Sequence, residues 1–503
     1  MLSLEEMPSM SIQSAHVTAP EDRLSVGQKF AYGLGSIVNN LLGGAISFMS
    51  IVLIVGLGMN PALVGWLLAI PRLTDALTDP VMGYISDNTR SRFGRRRPYI
   101  FCGAIIVGIL FALMWQLPAG YSENFYFWFF LIGSILFYLA YTMFATPWVA
   151  LGYEMTPDYH ERTRLMASQN FMGQFAWITL PWFYAIMEND RLFSDSVQGA
   201  RTLAIVIGIF VAVLGVIPAI VCRERFVAAA EADQQSKGLR HNISEFFKGF
   251  LITIKCNEFI KLCIGTFFLF NGLMLVGAFG SYIIIFYVCG GDTDLGAKYM
   301  GIYGSVTTVS TLCAIAVVTW ISTKLGKRKT FMIATSVTLL GSLMKWWCYD
   351  PLAPWKVLLP APLIAVGMGG LFVLMGSMIA DVCDMDELNT GSRREGMFGS
   401  IYWWVVKVGM ALAFALSGVL LNVTGFNVDI GGAQTSDTFF MMRAFDVMIP
   451  AVAAGISITA VAFYKLTEEK SFEIRRKIEQ RHGPSGVEDE GPDVAVDISP
   501  ASN

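Results

Sequence analysis

The chain has 503 residues, 54% of them hydrophobic and only 15% charged, with a formal net charge of -3. Soluble domains carry roughly 25% charged residues, so an ordinary soluble domain is excluded, while the near-neutral balance argues neither for nor against nucleic acid. Repeated apolar runs long enough to cross a bilayer make this an all-α polytopic membrane protein.

Residues 1–28 contain Glu5, Glu6, Glu21 and Asp22 but no long apolar core. They read as a short cytoplasmic N-terminal arm rather than a signal peptide. Twelve spans then follow, near 30–56, 61–86, 98–118, 124–153, 165–187, 200–222, 259–289, 297–322, 330–349, 356–381, 396–424 and 438–464. Backbone groups in lipid must be bonded internally, so the spans are expected to be helices. The 48 glycines permit close helix contact.

The first span carries Asn39 and Asn40. The second contains "PRLTDALTDP", which places Arg72, Asp75 and Asp79 at i, i+3 and i+7 on one helical face. A charge at the bilayer centre is costly, so such acids face the bundle interior and bind a cation, a proton or a partner charge. Thr78 adds an oxygen, and hard cations favour oxygen ligands. An ion pair with Arg72 that only fixes packing is the alternative, but two acids against one base leave a carboxylate over. The loop that follows holds Arg90, Arg92, Arg95, Arg96 and Arg97. With Asp87 and Gly94 it predicts a tight, ion-paired turn that sets topology and gating.

The fourth span contains Thr142, Pro147 and Trp148, and "TPDYHERTRL" after it brings Asp158 and Arg162 as a gating acid and base. Asn170 and Gln174 share a face of the fifth span, and Asn271 lies in the seventh. The eleventh has "IYWWVVKVG", in which Trp403 and Trp404 flank Lys407. Amides and lysine can hydrogen-bond hydroxyls, and indole faces suit the C–H faces of sugar rings. Asn39, Asn40, Asn170, Gln174, Trp148, Trp403, Trp404 and Lys407 are therefore candidate substrate ligands. Interhelical bonding is the alternative for the amides, and packing or interfacial anchoring for the tryptophans. A mid-helix lysine seldom sits in lipid without a role, and Lys407 is expected to pair with a second-span acid or to contact substrate.

Lys and Arg concentrate in the 2–3, 6–7 and 8–9 loops and in the tail, whereas the 1–2 and 3–4 loops have none. Both termini are therefore expected in the cytoplasm. "SRFGRRRPYI" after the second span is echoed by "TKLGKRKTFM" after the eighth, and "TPDYHERTRL" by "CDMDELNTGSRREG". A duplicated six-helix unit follows: 29–222 and 251–465, joined by a central cytoplasmic segment 223–250 and followed by a largely disordered tail 466–503. The eight cysteines are scattered without a CxxC pattern and read as packing residues. All four histidines fall outside the apolar runs, which argues against a histidine proton relay.

On these residues the chain resembles the glycoside–pentoside–hexuronide:cation symporters, the melibiose-carrier branch of the major facilitator superfamily. The resemblance covers about 30–465 and rests on Arg72, "DALTDP" and Gly83 with "TRSRFGRRRPYI", on "YGLG" opening the first span, on "YTMFATPW" with "DYHERTRL", and on "ADVCDMDE" with "WWVVKVG". It implies that Asp75 and Asp79 form a cation site lined by Thr78 and Thr142, and that Lys407 is the family's eleventh-helix lysine. Three charged positions of the melibiose carrier fall on Asn40, Ala145 and Asn170 here, so melibiose itself is not the implied substrate.

The resulting expectation is a symporter of the inner (plasma) membrane, moving a sugar or glycoside with H+ or Na+ by alternating access. No cofactor is expected beyond the coupling cation, no metal beyond a Na+ site, and no partner beyond a small-molecule substrate and the bilayer, with the protein a monomer. A lysolipid or amphiphile carrier and a sugar sensor on a transporter scaffold are the alternatives. No nucleophile–base pair stands out, so an enzyme is not expected.

Overall fold

A computed structural model describes residues 20–89, 91–118, 120–156, 158–224, 253, 255–390, 395–427 and 430–482. Arg90, most of the 223–250 segment and the tail beyond His482 lie outside the described residues, as does the side chain of Asp87. No strand occurs among the described residues. Among the described residues twelve long helices form the bundle: α1 (Val26–Met49), α2 (Pro61–Asn88), α3 (Arg97–Met114), α4 (Glu123–Glu154), α5 (Tyr159–Thr179), α6 (Ser196–Val221), α7 (Asn257–Tyr282), α8 (Thr293–Leu325), α9 (Lys327–Cys348), α10 (Pro360–Thr390), α11 (Glu395–Val423) and α12 (Ser436–Ala462).

Local chemistry marks where these helices begin. Ser25 accepts from the Gln28 N–H in a capping box, and Asn60, Ser122, Asp158, Asp195, Asp292 and Thr435 cap α2, α4, α5, α6, α8 and α12. Pro61 follows its cap at a position where no N–H is needed. Pro181 breaks the fifth span, which continues past α5 through a 3-10 turn, Leu180–Trp182, into a short helix, Phe183–Met187.

Among the described residues, ten helical stretches are long and apolar enough to cross a membrane. The other two long helices are α2, which carries Arg72, Asp75 and Asp79, and α5, which carries Glu161, Arg162, Arg164, Asn170 and Gln174. Both are nevertheless packed into the bundle, α2 against α4 and α11 and α5 against α1. Arg72 and Asp75 of α2 and Glu161 of α5 are buried among the neighbouring helices.

The internal duplication is visible as a repeated pattern of neighbours. In the first half α1 packs on α5 and α6, α3 on α4 and α6, and α2 on α4. In the second, α7 packs on α11 and α12, α9 on α10 and α12, and α8 on α10. The two echoed loops also adopt one design. Gly94 (φ 107°) and Gly326 (φ 77°) make the turns into α3 and α9, and a glutamate that follows the last helix of each half, Glu224 or Glu468, lies against that glycine. Glu224 accepts from the backbone N–H groups of Arg95, Arg96 and Arg97 at 2.7, 2.9 and 2.8 Å. A carboxylate there answers the positive end of the α3 dipole.

Contact between the halves runs along α2–α11 and along α8 with α5 and the turn after it. Gly65 and Gly418 let α2 and α11 touch backbone to backbone: a Cβ at Gly418 would lie 3.0 Å from the Ala62 Cα. Ala69, Ala411 and Ala415 form a small apolar cluster next to this crossing. Asn422 donates to Asn60 at 2.6 Å, and the Trp182 indole donates to Ser305 at 2.8 Å. These contacts all lie at the end of the bundle opposite the arginine-rich turn.

Within the described part of the tail, Glu468–His482 form a helix, α13, that packs on α10. Ile474 packs against the core of the second half, and Lys477 pairs with Glu473 one turn away.

Candidate functional site

The acids of α2 lie at mid-helix, about three to four turns from Gly65 and the crossing it makes with Gly418. Asp75 is 1% exposed. Its Oδ1 accepts from the Thr142 hydroxyl at 3.1 Å, and its Oδ2 lies 3.0 Å from Lys407 Nζ. Asp79 accepts from the Thr146 hydroxyl at 3.1 Å and forms a second ion pair with Lys407. Thr78 Oγ1 and Thr142 Oγ1 are 3.2 Å apart. The i, i+4 spacing of Asp75 and Asp79 on α2, and of Thr142 and Thr146 on α4, matches two short ladders rung by rung.

The first half therefore supplies two carboxylates and three hydroxyls, and the second half supplies one ammonium. Lys407 is a tether across the interface between the halves as well as a counter-charge. Removing one partner of such a buried pair leaves the other charge without solvation, which is what makes the group energetically consequential.

Arg72 does not play the part of ion-pair partner. Among the described residues its guanidinium donates to the Gly43 carbonyl of α1 and lies over the Tyr138 ring, 5.1 Å from the centroid. It contributes positive field near the acids while Lys407 makes the contact. The adjacent Tyr141 hydroxyl donates to Asn39 Oδ1 at 2.9 Å, so Asn39 is engaged between α1 and α4.

The remaining expected substrate residues are not equally placed. Asn40 and Gln174 are half-buried and Asn170 is exposed, and none has a hydrogen-bond partner among the described residues. Trp403 is exposed and Trp404 half-buried on α11, flanking Lys407 one turn earlier. Trp148 is enclosed. Its ring stacks on Tyr32 at 5.0 Å between centroids, and its N–H faces the Tyr32 carbonyl at 3.3 Å. The structure thus places Trp148 in the α1–α4 core, away from the acids, because both its face and its polar tip are already occupied.

The expected gating residues also separate. Arg95 and Arg96 both pair with Glu154 at the end of α4, Arg96 at 2.9 Å. Asp158 caps α5, accepting from the Glu161 N–H at 2.7 Å, and Arg162 donates to the Thr156 carbonyl at 3.2 Å. Glu161 lies at this end of α5, bonded to Lys29 at 2.6 Å, to the Leu24 N–H at 3.0 Å and to Arg164 at 3.0 Å. Burial would raise its carboxyl, but these donors outweigh burial and hold it below the ordinary glutamate range.

Sequence reasoning missed Thr146 and Glu154. Thr146 was available as the residue one turn beyond Thr142. Glu154 carried no signal, because its partners come from a turn 59 residues away.

Comparisons with known proteins fit this architecture. The model of a family described as "MFS/sugar transport protein" matches residues 31–468. The glucuronide carrier protein homolog of Escherichia coli is 25% identical, covering 90% of this chain and 94% of its own length. The isoprimeverose transporter of Lactiplantibacillus pentosus is 23% identical, covering 90% of this chain and 91% of its own. A solved structure of the nucleoside transporter NupG superposes with a TM-score of 0.61 at 13% identity, covering 87% of this chain and 100% of that one.

Proposed function

The chain belongs to the MFS/sugar transport protein family, and from that premise we propose that it is a secondary active symporter carrying a sugar or glycoside together with H+ or Na+. It is a polytopic membrane transporter and not an enzyme. The observation that carries the cation-coupled reading is the contact of Lys407 with both Asp75 and Asp79 across the interface between the halves.

The proposed mechanism follows from the charges. Lys407 and Arg72 balance Asp75 and Asp79, so an added cation makes the cluster net positive unless Lys407 withdraws. A proton on a carboxylate, or Na+ among the oxygens of Asp75, Asp79, Thr78, Thr142 and Thr146, competes with the lysine. Withdrawal releases the tether between α2 and α11 and frees the ammonium to meet a substrate oxygen. Asn40, Asn170, Gln174, Trp403 and Trp404 are the further substrate groups in this reading. Cation and substrate then favour each other's binding, which is the thermodynamic content of symport.

The arginine-rich end is assigned to the cytoplasm of the plasma membrane. On that assignment the Gly65–Gly418 crossing closes the outer end of the path, and the two halves pivot about it. Arg95 and Arg96 on Glu154 brace the inner end of the first half.

Uptake into proteoliposomes tests the proposal. A panel of glucuronides, pentosides, sucrose and other glycosides is offered under an imposed pH gradient and, separately, an imposed Na+ gradient. Accumulation driven by one gradient is expected and names cation and substrate together. Folded protein that accumulates none of them would overturn the sugar reading. Uptake of a lysolipid by the same vesicles would then transfer the cation mechanism to an amphiphile.

A further inference from the structure

Asn271 on α7 is 6% exposed, and among the described residues neither its Oδ1 nor its Nδ2 has a hydrogen-bond partner. Its amide lies over Gly409 of α11, where a Cβ would come within 2.6 Å of the Asn271 Cγ. Asn40 stands at the corresponding place in the first half. Each asparagine is the fifteenth residue of the first helix of its half. Each packs on a glycine of the fifth helix, Asn40 on Gly173 of α5 and Asn271 on Gly409 of α11. Each glycine adjoins the candidate substrate face: Gly173 precedes Gln174, and Gly409 is two residues beyond Lys407.

Two polar atoms shut away without partners destabilise the conformation that holds them, and a group that satisfies both is favoured in proportion. A carboxamide offers one donor edge and one acceptor edge side by side. A polyhydroxyl solute can answer both with neighbouring hydroxyls. An interhelical role, the ordinary use of a mid-membrane amide, would show a bond to the facing helix, and Asn271 has none among the described residues.

We propose that Asn271 and Asn40 are a two-fold-related recognition pair that reads hydroxyl groups of the transported glycoside, one from each half. The inference rests on the glycoside reading above. Asn271 acquires its missing partners in the loaded state, when α11, released with Lys407 from the acids of α2, uncovers the α7–α11 seam. A site built to bond a hydroxyl rejects an analogue that lacks it, so the pair sets substrate specificity.

The test is counterflow in proteoliposomes with the best glycoside of the panel and its single-deoxy analogues, using wild type, Asn40→Ala and Asn271→Ala. Wild type is expected to lose affinity for at least one deoxy analogue. Asn271→Ala is expected to raise KM for the parent glycoside about tenfold and to handle that analogue and the parent alike. With substrate saturating for each protein, the cation concentration for half-maximal rate should be unchanged. Asn40→Ala should erase discrimination at a different hydroxyl.

Asn271→Ala with an unchanged KM would overturn the inference and leave the glycoside reading intact. So would a KM raised equally for every analogue, with a lowered thermal midpoint, because that is the mark of packing. Should Asn271→Ala fail to fold, Asn271→Ser supplies the same comparison. Wild type that moves no glycoside would remove both the reading and the inference.

Discussion

Asp75 and Asp79 look alike in the sequence and differ in the structure. Asp75 is closed in, held by Thr142 and Lys407, while Asp79 is 35% exposed and held by Thr146 and the same lysine. Replacing either with Asn should keep the shape but remove the cation's counter-charge. Gradient-driven accumulation is expected to fall at least about tenfold, while substrate exchange without a gradient survives better. Equal accumulation ratios for variant and wild-type vesicles would defeat the cation assignment. Lys407→Ala makes the opposite change and leaves two acids without their ammonium. The variant should lose about 3 kcal/mol of stability in cation-free buffer at neutral pH. Added Na+, or acid, should restore the midpoint by supplying the missing charge, and a midpoint indifferent to both would argue against Lys407 as a stand-in for the cation.

At the level of elements, caps and glycines decide how helices start and how closely they meet. Glu161 in the first turn of α5 ties that helix to α1 through Lys29 and to the chain before α1 through the Leu24 N–H. Its folded carboxyl titrates below its unfolded value. This staple is therefore fully present above the unfolded value and is lost as pH falls through the folded one. Glu161→Gln should cost about 1–2 kcal/mol at neutral pH and little once acid has neutralised the wild-type carboxyl. Thermal midpoints of the two proteins across pH check this, and parallel curves would rule it out. The α10 boundary has a similar local cause. The acidic stretch "ADVCDMDELNT" continues that helix to Thr390 rather than ending it at the membrane edge, and Asp381 within it holds Lys327 of α9 at 2.7 Å.

For the whole molecule, the closed end between α2 and α11 is the feature on which alternating access turns. Small residues carry that contact because lipid offers no hydrophobic drive for helix association, and close van der Waals approach has to supply it. Gly418→Leu would push a side chain into the Pro61–Ala62 backbone, which has no room to yield. The population should move about tenfold toward the opposite opening, the shift expected of roughly 1.4 kcal/mol. Labelling by an impermeant thiol reagent at Ala69→Cys, above the background of the eight native cysteines, should then rise from the outer side. Unchanged labelling would show that the crossing is not the gate.

The class of fold, the twelve spans, the duplicated halves and the acids of α2 were legible in the sequence. Each depends on spacing within one segment: apolar runs set by bilayer thickness, charges by the 3.6-residue turn, and loop echoes by repeated order. Periodicity could place Asp75 and Asp79 on one face, but it could not say whether Arg72 or Lys407 would meet them. That choice lies between a neighbour one turn away and a residue 328 positions along. Only the packing of α11 on α2 decided it, by putting Lys407 at both carboxylates while Arg72 turned to the Gly43 carbonyl and the Tyr138 ring. Trp148 shows the same limit. Its helix was readable, but whether its ring faced a path or a core depended on Tyr32 of another helix. Helical periodicity sorts residues onto faces, but what each face meets follows from packing, because contacts between distant segments choose the partners.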